Sequence, residues 1–306
     1  MKIGAIDIGT NSMRLLVCDF INDELLNRKK FINTTRIGKG VDEHGFISQE
    51  AIRRNIDALK EFYKLSKSEG CDYIYCIGTS ALRDSKNGDD FVRIAKEEIG
   101  IDIEIISGEE ESNLGFLGVL KGANENDDIL VIDIGGGSTE FILGNMDGIK
   151  FSKSENVGAL RMTEKFLTTD IVDNYEFDMM SEFIENEIRE TLESLKEKHI
   201  NKLVGIGGTI TSLSAINQEL EVYSMEKIHN SVVTIDDIEN ILQNLKKMTL
   251  NDKKSLKGLQ SKRADIITAG VKILHIIMKK LELREITVSE YDNLEGLICL
   301  KSKKLS

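Results

Sequence analysis

The sequence predicts an α/β protein of two domains, because of its length, an internal repeat and an alternation of strand and helix patterns. A chain of 306 residues is larger than most single domains. Its composition, 41% hydrophobic and 30% charged residues, is ordinary for a globular protein and sufficient for a sizeable core. We therefore expect two sheets, each covered by helices.

The repeat relates residues 3–17 to residues 129–143 with a constant offset of 126 in residue number (133 − 7). In each copy an apolar strand ends in Asp, a glycine turn follows, and a second apolar strand begins. The residues that recur include Asp7 with Asp133, Gly9 with Gly135, and Ser12 with Ser138. The sequence thus predicts an N-terminal domain (1–125) and a C-terminal domain (126–306), each opening with a hairpin whose turn faces one cleft. The last helix has the option of packing back on the first domain.

The first half alternates between strand and helix patterns. A helix is predicted to begin at Ser48, from the apolar stripe that follows it. A strand at 72–77, a helix at 91–99 ended by Gly100, and a strand at 101–106 follow in order.

The second half is richer in helix patterns. One apolar stripe predicts a long helix over 177–195, and a strand at 203–206 runs into a Gly-Gly-Thr turn. Thr234 and Asp237 resemble a capping box at the start of another helix. The apolar stretch 264–278 contains Asp265, Lys272 and His275, so it predicts a packed helix that Arg263 opens, and not a membrane span.

The charge and the scarce residue types exclude several classes of protein. A net charge of −12 opposes non-specific binding to nucleic acid or to an anionic membrane. The four cysteines form no CxxC pair and the four histidines are isolated, which argues for buried free thiols and against a zinc hydrolase. The first residues form a strand pattern and not a signal peptide, so we expect a cytoplasmic protein.

Three glycine turns follow strands, at residues 7–12, 133–138 and 205–209. Glycine lets a backbone approach a ligand, and consecutive amides in such a turn form an anion-binding nest. An aspartate at the strand end can hold Mg²⁺. Asp and Gly also form turns without any ligand, but three such turns, two of them duplicated, favour a phosphate cleft.

Further segments resemble the exopolyphosphatase/guanosine pentaphosphate phosphatase (Ppx/GppA) family, in its short form. They include Thr35-Arg-Ile-Gly-Lys-Gly40, Gly78-Thr-Ser-Ala-Leu-Arg83, Gly108-Glu-Glu-Glu111 and Arg263-Ala-Asp265. The resemblance covers nearly the whole chain in order. It implies two actin-like (ribonuclease H-like) domains flanking a central cleft.

The same resemblance implies roles for individual residues. Glu111 would activate or orient the attacking water, although acids are favoured in a first helical turn by the helix dipole alone. Asp133 would act in catalysis and, with Asp7 and Glu111, would bind Mg²⁺ or another divalent cation. The phosphate would be bound by Gly9, Thr10, Asn11, Ser12, Arg14, Arg83, Gly135, Gly136, Gly137, Ser138, Gly207, Gly208, Thr209 and Arg263. Arginine suits this role because its fork pairs with two phosphate oxygens at once.

The expected function is removal of the terminal phosphate from inorganic polyphosphate. The alternatives are hydrolysis of guanosine pentaphosphate, an ATP-dependent kinase of the same superfamily, and a catalytically weak nucleotide or alarmone-binding regulator. The chain has Asp292-Asn-Leu-Glu-Gly296 where family members commonly have Gly-Leu-Arg-Glu-Gly, so Leu294 puts any substrate contact of that loop in doubt. A homodimer is a further expectation, with neither nucleic acid nor membrane as a partner.

Overall fold

The structure, a computed structural model, describes residues 1–122 and 127–303, which form two compact units. Unit 1 comprises Met1–Lys121 together with Tyr291–Ser306, and unit 2 comprises Gly122–Glu290. The predicted C-terminal domain, 126–306, included the last residues of the chain. The structure groups residues 291–303 with unit 1, which is the option kept for the last helix, because Leu294, Leu297 and Ile298 pack in the core of that unit.

Unit 1 contains one five-stranded sheet in the order β3-β2-β1-β4-β5. The first two pairings are antiparallel, and β4 is parallel to both of its neighbours. Its elements are β1 (Lys2–Ile8), β2 (Met13–Ile21), β3 (Glu24–Asn33), α1 (Val41–His44), α2 (Gln49–Ser68), β4 (Tyr73–Gly78), α3 (Ser80–Asp84), α4 (Gly88–Ile99), β5 (Glu104–Ile105), α5 (Gly108–Gly122) and α14 (Asn293–Ser302).

Both faces of the central strand β1 are buried. Along β1, Ile6 and Ile8 belong to one apolar cluster, with side chains of α2 and α4, whereas Ile3 and Ala5 belong to another, with side chains of α5 and α14. Successive residues of a strand point to opposite faces. This explains why β1 is almost continuously apolar, as strands covered on both faces are.

Unit 2 has a six-stranded sheet in the order β10-β11-β9-β6-β7-β8. Its strands β8-β7-β6-β9-β11 repeat the pairing directions of β3-β2-β1-β4-β5, and β10 adds an antiparallel edge. The elements are β6 (Ile129–Ile134), β7 (Thr139–Asn145), β8 (Gly148–Glu155), α6 (Ala159–Phe166), α7 (Asn174–Glu187), α8 (Arg189–Lys196), β9 (Lys202–Ile206), α9 (Gly207–Asn217), α10 (Met225–Ile228), β10 (Val232–Thr234), α11 (Ile235–Lys247), α12 (Leu250–Lys254), a 3-10 helix (Ser261–Arg263), α13 (Ile267–Lys280) and β11 (Glu285–Val288).

Several predicted boundaries are confirmed. Ser48 caps α2 by accepting a hydrogen bond from the Ala51 amide, and Gly100 ends α4 in the left-handed conformation. The capping box of Thr234 and Asp237 is present at the start of α11. Within the described residues, no helix is long and apolar enough to cross a membrane.

Three predictions of secondary structure were wrong. The stripe over 177–195 is divided between α7 and α8, because Ile188 leaves the helical conformation while its side chain stays in the core. The strand expected at 101–106 is paired only over Glu104–Ile105. Arg263 ends a 3-10 helix and does not open α13.

Candidate active site

The turn between β1 and β2 is bound to the protein through its carbonyl groups. The Gly9 amide donates to the Ser12 carbonyl across the turn (3.1 Å). In the loop after β3, the Gly38 amide donates to the Thr10 carbonyl (3.0 Å) and the Arg36 amide donates to the Asn11 carbonyl (2.9 Å). Since the carbonyl groups of the turn accept hydrogen bonds from the protein, its amide groups are the ones left to bind a ligand.

The equivalent turn of unit 2 is built in the same manner. The Gly135 amide donates to the Ser138 carbonyl (3.0 Å), as Gly9 does to Ser12. The start of α6 binds the carbonyl groups, with the Ala159 amide on Gly135 (2.9 Å) and Arg161 Nε on Gly137 (2.7 Å). The two turns therefore share the hydrogen bond between their first glycine and their serine, and the residues Asp, Ile, Gly and Ser at matching positions.

Both turns carry backbone amides that bond to no acceptor among the described residues. These amides are Thr10, Asn11 and Ser12 in unit 1, and Gly136, Gly137 and Ser138 in unit 2. Almost every backbone amide in a folded protein finds a partner. Consecutive amides without one form a ready anion site, and phosphate oxygens are suitable acceptors.

Asp7 ends β1 and is bonded on one side only. Its Oδ2 accepts from Arg14 Nη2 at 2.5 Å and from Arg14 Nε at 3.2 Å. Its Oδ1 is buried and has no hydrogen-bond partner within the described residues. Burial raises the pKa of Asp7, and the positive charge of Arg14 opposes that rise.

Arg14 bonds a second carboxylate, that of Asp292, through Nη1 at 2.8 Å. Arg14 lies in β2, directly opposite Asp7 in the hairpin, and its side chain is 16% exposed. Arg14, which was predicted to bind phosphate, thus binds the carboxylates of Asp7 and Asp292 in unit 1.

Glu111 and Arg83 form an ion pair in unit 1. Glu111 lies in the first turn of α5 and is buried, whereas Glu109 and Glu110 are exposed. Arg83, in α3, donates through Nη1 to Glu111 Oε2 (3.1 Å) and to the Ile106 carbonyl (2.9 Å). The structure thus brings two predicted site residues together and fixes the orientation of the carboxylate.

In unit 2, Asp133 and the start of α9 are in close contact. Gly207 has a φ of +80°, and a Cβ added there would lie 2.2 Å from Asp133 Oδ1. A Cβ on Gly208 would lie 2.0 Å from Arg263 Nη2. Thr209 Oγ1 donates to the Ile134 carbonyl (3.0 Å). The left-handed backbone at Gly207 favours glycine, and the lack of a side chain at both positions leaves room for Asp133 and Arg263.

Sequence reasoning missed two buried acids, one beside Asp133 and one beside Arg14. Glu140 lies directly opposite Asp133 in the β6–β7 hairpin and is 1% exposed. The repeat contained the signal, because position 140 is offset by 126 from Arg14, so the acid replaces the arginine of the first copy. Asp292 belongs to a segment noted only for its departure from the family pattern.

The residues of unit 1 fit a cation at Asp7. The fit rests on the buried, unbonded Oδ1, because a hard divalent cation prefers carboxylate oxygen. Residues 1–122 and 127–303 contain no group of three or more His, Cys, Asp or Glu side chains that could hold a metal by themselves. Such a cation would therefore be held by few protein ligands, as Mg²⁺ usually is when phosphate and water complete its shell.

A repeated Asp–Gly hairpin at the head of two α/β units defines a protein of the actin-like class. The model of the Ppx/GppA phosphatase family matches residues 24–305. The chain belongs to that family.

Relatives and solved structures agree with this placement. The chain is 39% identical to the bifunctional 3-dehydroquinate synthase/phosphatase of Fusobacterium nucleatum, over 96% of this chain and 46% of that protein. It thus spans about half of that relative's length. It is 31% identical to exopolyphosphatase 2 of Mycobacterium tuberculosis, over 97% of each.

Among crystal structures, an exopolyphosphatase from Cytophaga hutchinsonii superimposes with a TM-score of 0.91 at 29% identity, covering 99% of this chain and 98% of that one. The predicted family and the predicted actin-like fold class are confirmed. The roles of the individual site residues stay predictions.

Proposed function

We propose that this protein is an exopolyphosphatase, a hydrolase that removes the terminal phosphate of inorganic polyphosphate. The observation that carries the proposal is the pair of equivalent turns whose amides have no acceptor among the described residues. Membership of a phosphatase family and the similarity to exopolyphosphatase 2 along 97% of both chains support it. An acidic protein needs such local donors, because its net charge repels a polyanion.

Glu111 directs the attacking water. Its carboxylate is fixed by Arg83, and it accepts a proton as the water oxygen bonds to the terminal phosphorus. The bond from that phosphorus to the bridging oxygen breaks, and the shortened chain leaves with the bridging oxygen. The products are orthophosphate and a polyphosphate one unit shorter.

Charge stabilisation falls to the amides, the arginines and a divalent cation. The turn amides bind phosphate oxygens and are held by the backbone throughout the reaction, so little reorganisation is needed. Asp7 is the proposed protein ligand of Mg²⁺, and phosphate and water would complete the shell. When bound, Mg²⁺ would neutralise part of the charge on the phosphate oxygens.

The first test is Glu111→Gln, with Glu109→Gln as the matched control on the same helix turn. Glu111→Gln keeps the size of the side chain and removes the base, so phosphate release from polyphosphate should fall by roughly 10²–10⁴-fold. The exposed Glu109 should tolerate the change without loss. Equal activity of the two variants would remove Glu111 from the mechanism.

A substrate panel tests the function itself. Phosphate release is measured from polyphosphate, guanosine pentaphosphate and ATP, with and without Mg²⁺. Polyphosphate should give the highest kcat/KM. A preference for the pentaphosphate would select the alternative hydrolase, and binding without turnover would select a regulator. The cytoplasmic location and the homodimer stay predictions.

A further inference from the structure

Asp292 lies at the start of α14 and has a separate task for each carboxylate oxygen. Oδ1 accepts from the Leu294 amide (3.0 Å) and so caps the helix. Oδ2 accepts from Arg14 Nη1 (2.8 Å) and from Lys30 Nζ (3.3 Å). The residue is 6% exposed. Capping of the helix uses only Oδ1, so it does not explain the bonds that Oδ2 accepts from Arg14 and Lys30.

The second bond leads directly to Asp7. One edge of the Arg14 guanidinium bonds Asp292, while Nε and Nη2 bond Asp7 Oδ2. A planar guanidinium held on two sides has little freedom to rotate. Asp7 is thereby fixed with its other oxygen, Oδ1, unbonded and buried.

The neighbouring acid of α14 serves as an internal comparison. Glu295 is fully buried and bonds Arg28 (2.8 Å) and Lys30 (3.0 Å), and no contact to Arg14 or Asp7 is found for it within the described residues. Arg28 in turn stacks on the Tyr291 ring, at 3.7 Å from its centre. Glu295 therefore anchors the helix to β3, whereas Asp292 also reaches the site through β2.

We propose that Asp292 is a positioning residue for the reaction: it holds Arg14 on Asp7 so that Asp7 presents Oδ1 to the divalent cation. This inference rests on the proposed function. Asp292, which precedes α14, would thereby contribute to a site formed by residues of β1 and β2.

Asp292→Asn isolates this task, with Glu295→Gln as the control. Asn caps helices as well as Asp does, so α14 keeps its cap, but the charge facing Arg14 is lost. We expect kcat on polyphosphate to fall about tenfold, with KM changed less than twofold, and the affinity for Mn²⁺ measured by calorimetry without substrate to weaken about tenfold. Glu295→Gln should lower the melting temperature and leave both quantities unchanged. Equal behaviour of the two variants would overturn the proposal.

A double-mutant cycle with Arg14→Lys tests the route through Arg14. If Asp292 acts through that guanidinium, the tenfold loss of Mn²⁺ affinity shrinks to less than threefold once Arg14 is replaced, because coupled residues are not additive. Full additivity would show that Asp292 acts elsewhere and would overturn the proposal.

The binding measurements keep this inference distinct from the proposed function. A wild-type protein that binds Mn²⁺ but hydrolyses none of the phosphate substrates would refute the exopolyphosphatase, while the cycle on Mn²⁺ affinity would still decide the role of Asp292. A wild-type protein that binds no Mn²⁺ overturns the positioning role.

Discussion

Arg83 and Arg14 are alike in that each binds a carboxylate of its own unit. Arg83 divides its Nη1 between Glu111 and the Ile106 carbonyl, and Arg14 joins Asp7 to Asp292. Charge-assisted bonds of this kind are stronger than neutral ones. Each arginine thus orients a carboxylate before any substrate arrives.

Arg83→Lys should therefore weaken catalysis more than binding. Lysine keeps the charge but is shorter and lacks the planar guanidinium that holds Nη1 between the Glu111 carboxylate and the Ile106 carbonyl. We expect kcat to fall by about 10- to 100-fold, because Glu111 stays in place but loses its fixed orientation, and a misplacement of about 1 Å can cost roughly 100-fold, with a smaller change in KM. Steady-state kinetics on polyphosphate give both constants.

Arg93→Lys is the control for this substitution. Arg93 makes only exposed pairs with Asp90 and Glu97 on α4, and exposed pairs contribute little. If Arg83→Lys raised KM and left kcat unchanged, Arg83 would be a phosphate ligand and not the partner of Glu111.

At the scale of elements, the start of α9 at Gly207 is constrained by its left-handed backbone and by its contact with Asp133. β6 and β9 are parallel neighbours, so Asp133 and Ile206 lie side by side, and α9 begins at the next residue. Gly207 has a left-handed φ, and a side chain there would displace the Asp133 carboxylate from its present position.

Gly207→Ala and Gly70→Ala form a matched pair that measures this contact. Both glycines have left-handed backbone, with φ of +80° and +79°, but a Cβ on Gly70 would meet nothing within 4 Å. Gly70→Ala should lower the free energy of unfolding by about 1–2 kcal/mol, the cost of that conformation. Gly207→Ala should lose more and should also lose activity.

Urea unfolding and phosphate release give the two readouts. Equal losses of stability, with both variants active, would mean that Asp133 moves aside freely and that the close approach has no functional role.

The hairpins were predictable from sequence because their signal is local and duplicated. An apolar strand, an aspartate and a glycine turn recur at one offset, and the register of Asp7 with Arg14 recurs as Asp133 with Glu140. The break between α7 and α8 was not predictable, because Ile188 stays on the apolar stripe while its backbone leaves the helix. The Arg14–Asp292 bond joins residues 278 apart, and no local pattern carries such a pairing.

On the scale of the whole molecule, the thiols are confined to one unit. Cys18, Cys71, Cys76 and Cys299 are the four cysteines of the sequence, all are free and buried, and all belong to unit 1. Burial raises the pKa of Cys18 to about 12 and that of Cys299 to about 11. The thiolate is the form that attacks a disulfide reagent, so both burial and the raised pKa values protect these side chains.

A disulfide reagent at pH 8 should therefore label none of the four thiols in the native protein within minutes. It should label all four in urea, and the midpoint of labelling should report the opening of unit 1 alone. Circular dichroism, which reports both units, supplies the comparison. Rapid labelling of the native protein would show that the core around Cys18 and Cys299 opens far more often than its burial implies.

The chain leaves unit 1 at Lys121, forms unit 2, and returns to unit 1 at Tyr291. During synthesis on the ribosome the first strands must wait for Leu294, Leu297 and Ile298, which cover the apolar face of β1 that holds Ile3 and Ala5. At the usual speed of translation, the intervening residues take roughly 10 to 30 seconds to appear. The part made first is thus completed last, and until then its uncovered face is the surface that a chaperone would have to shield from aggregation.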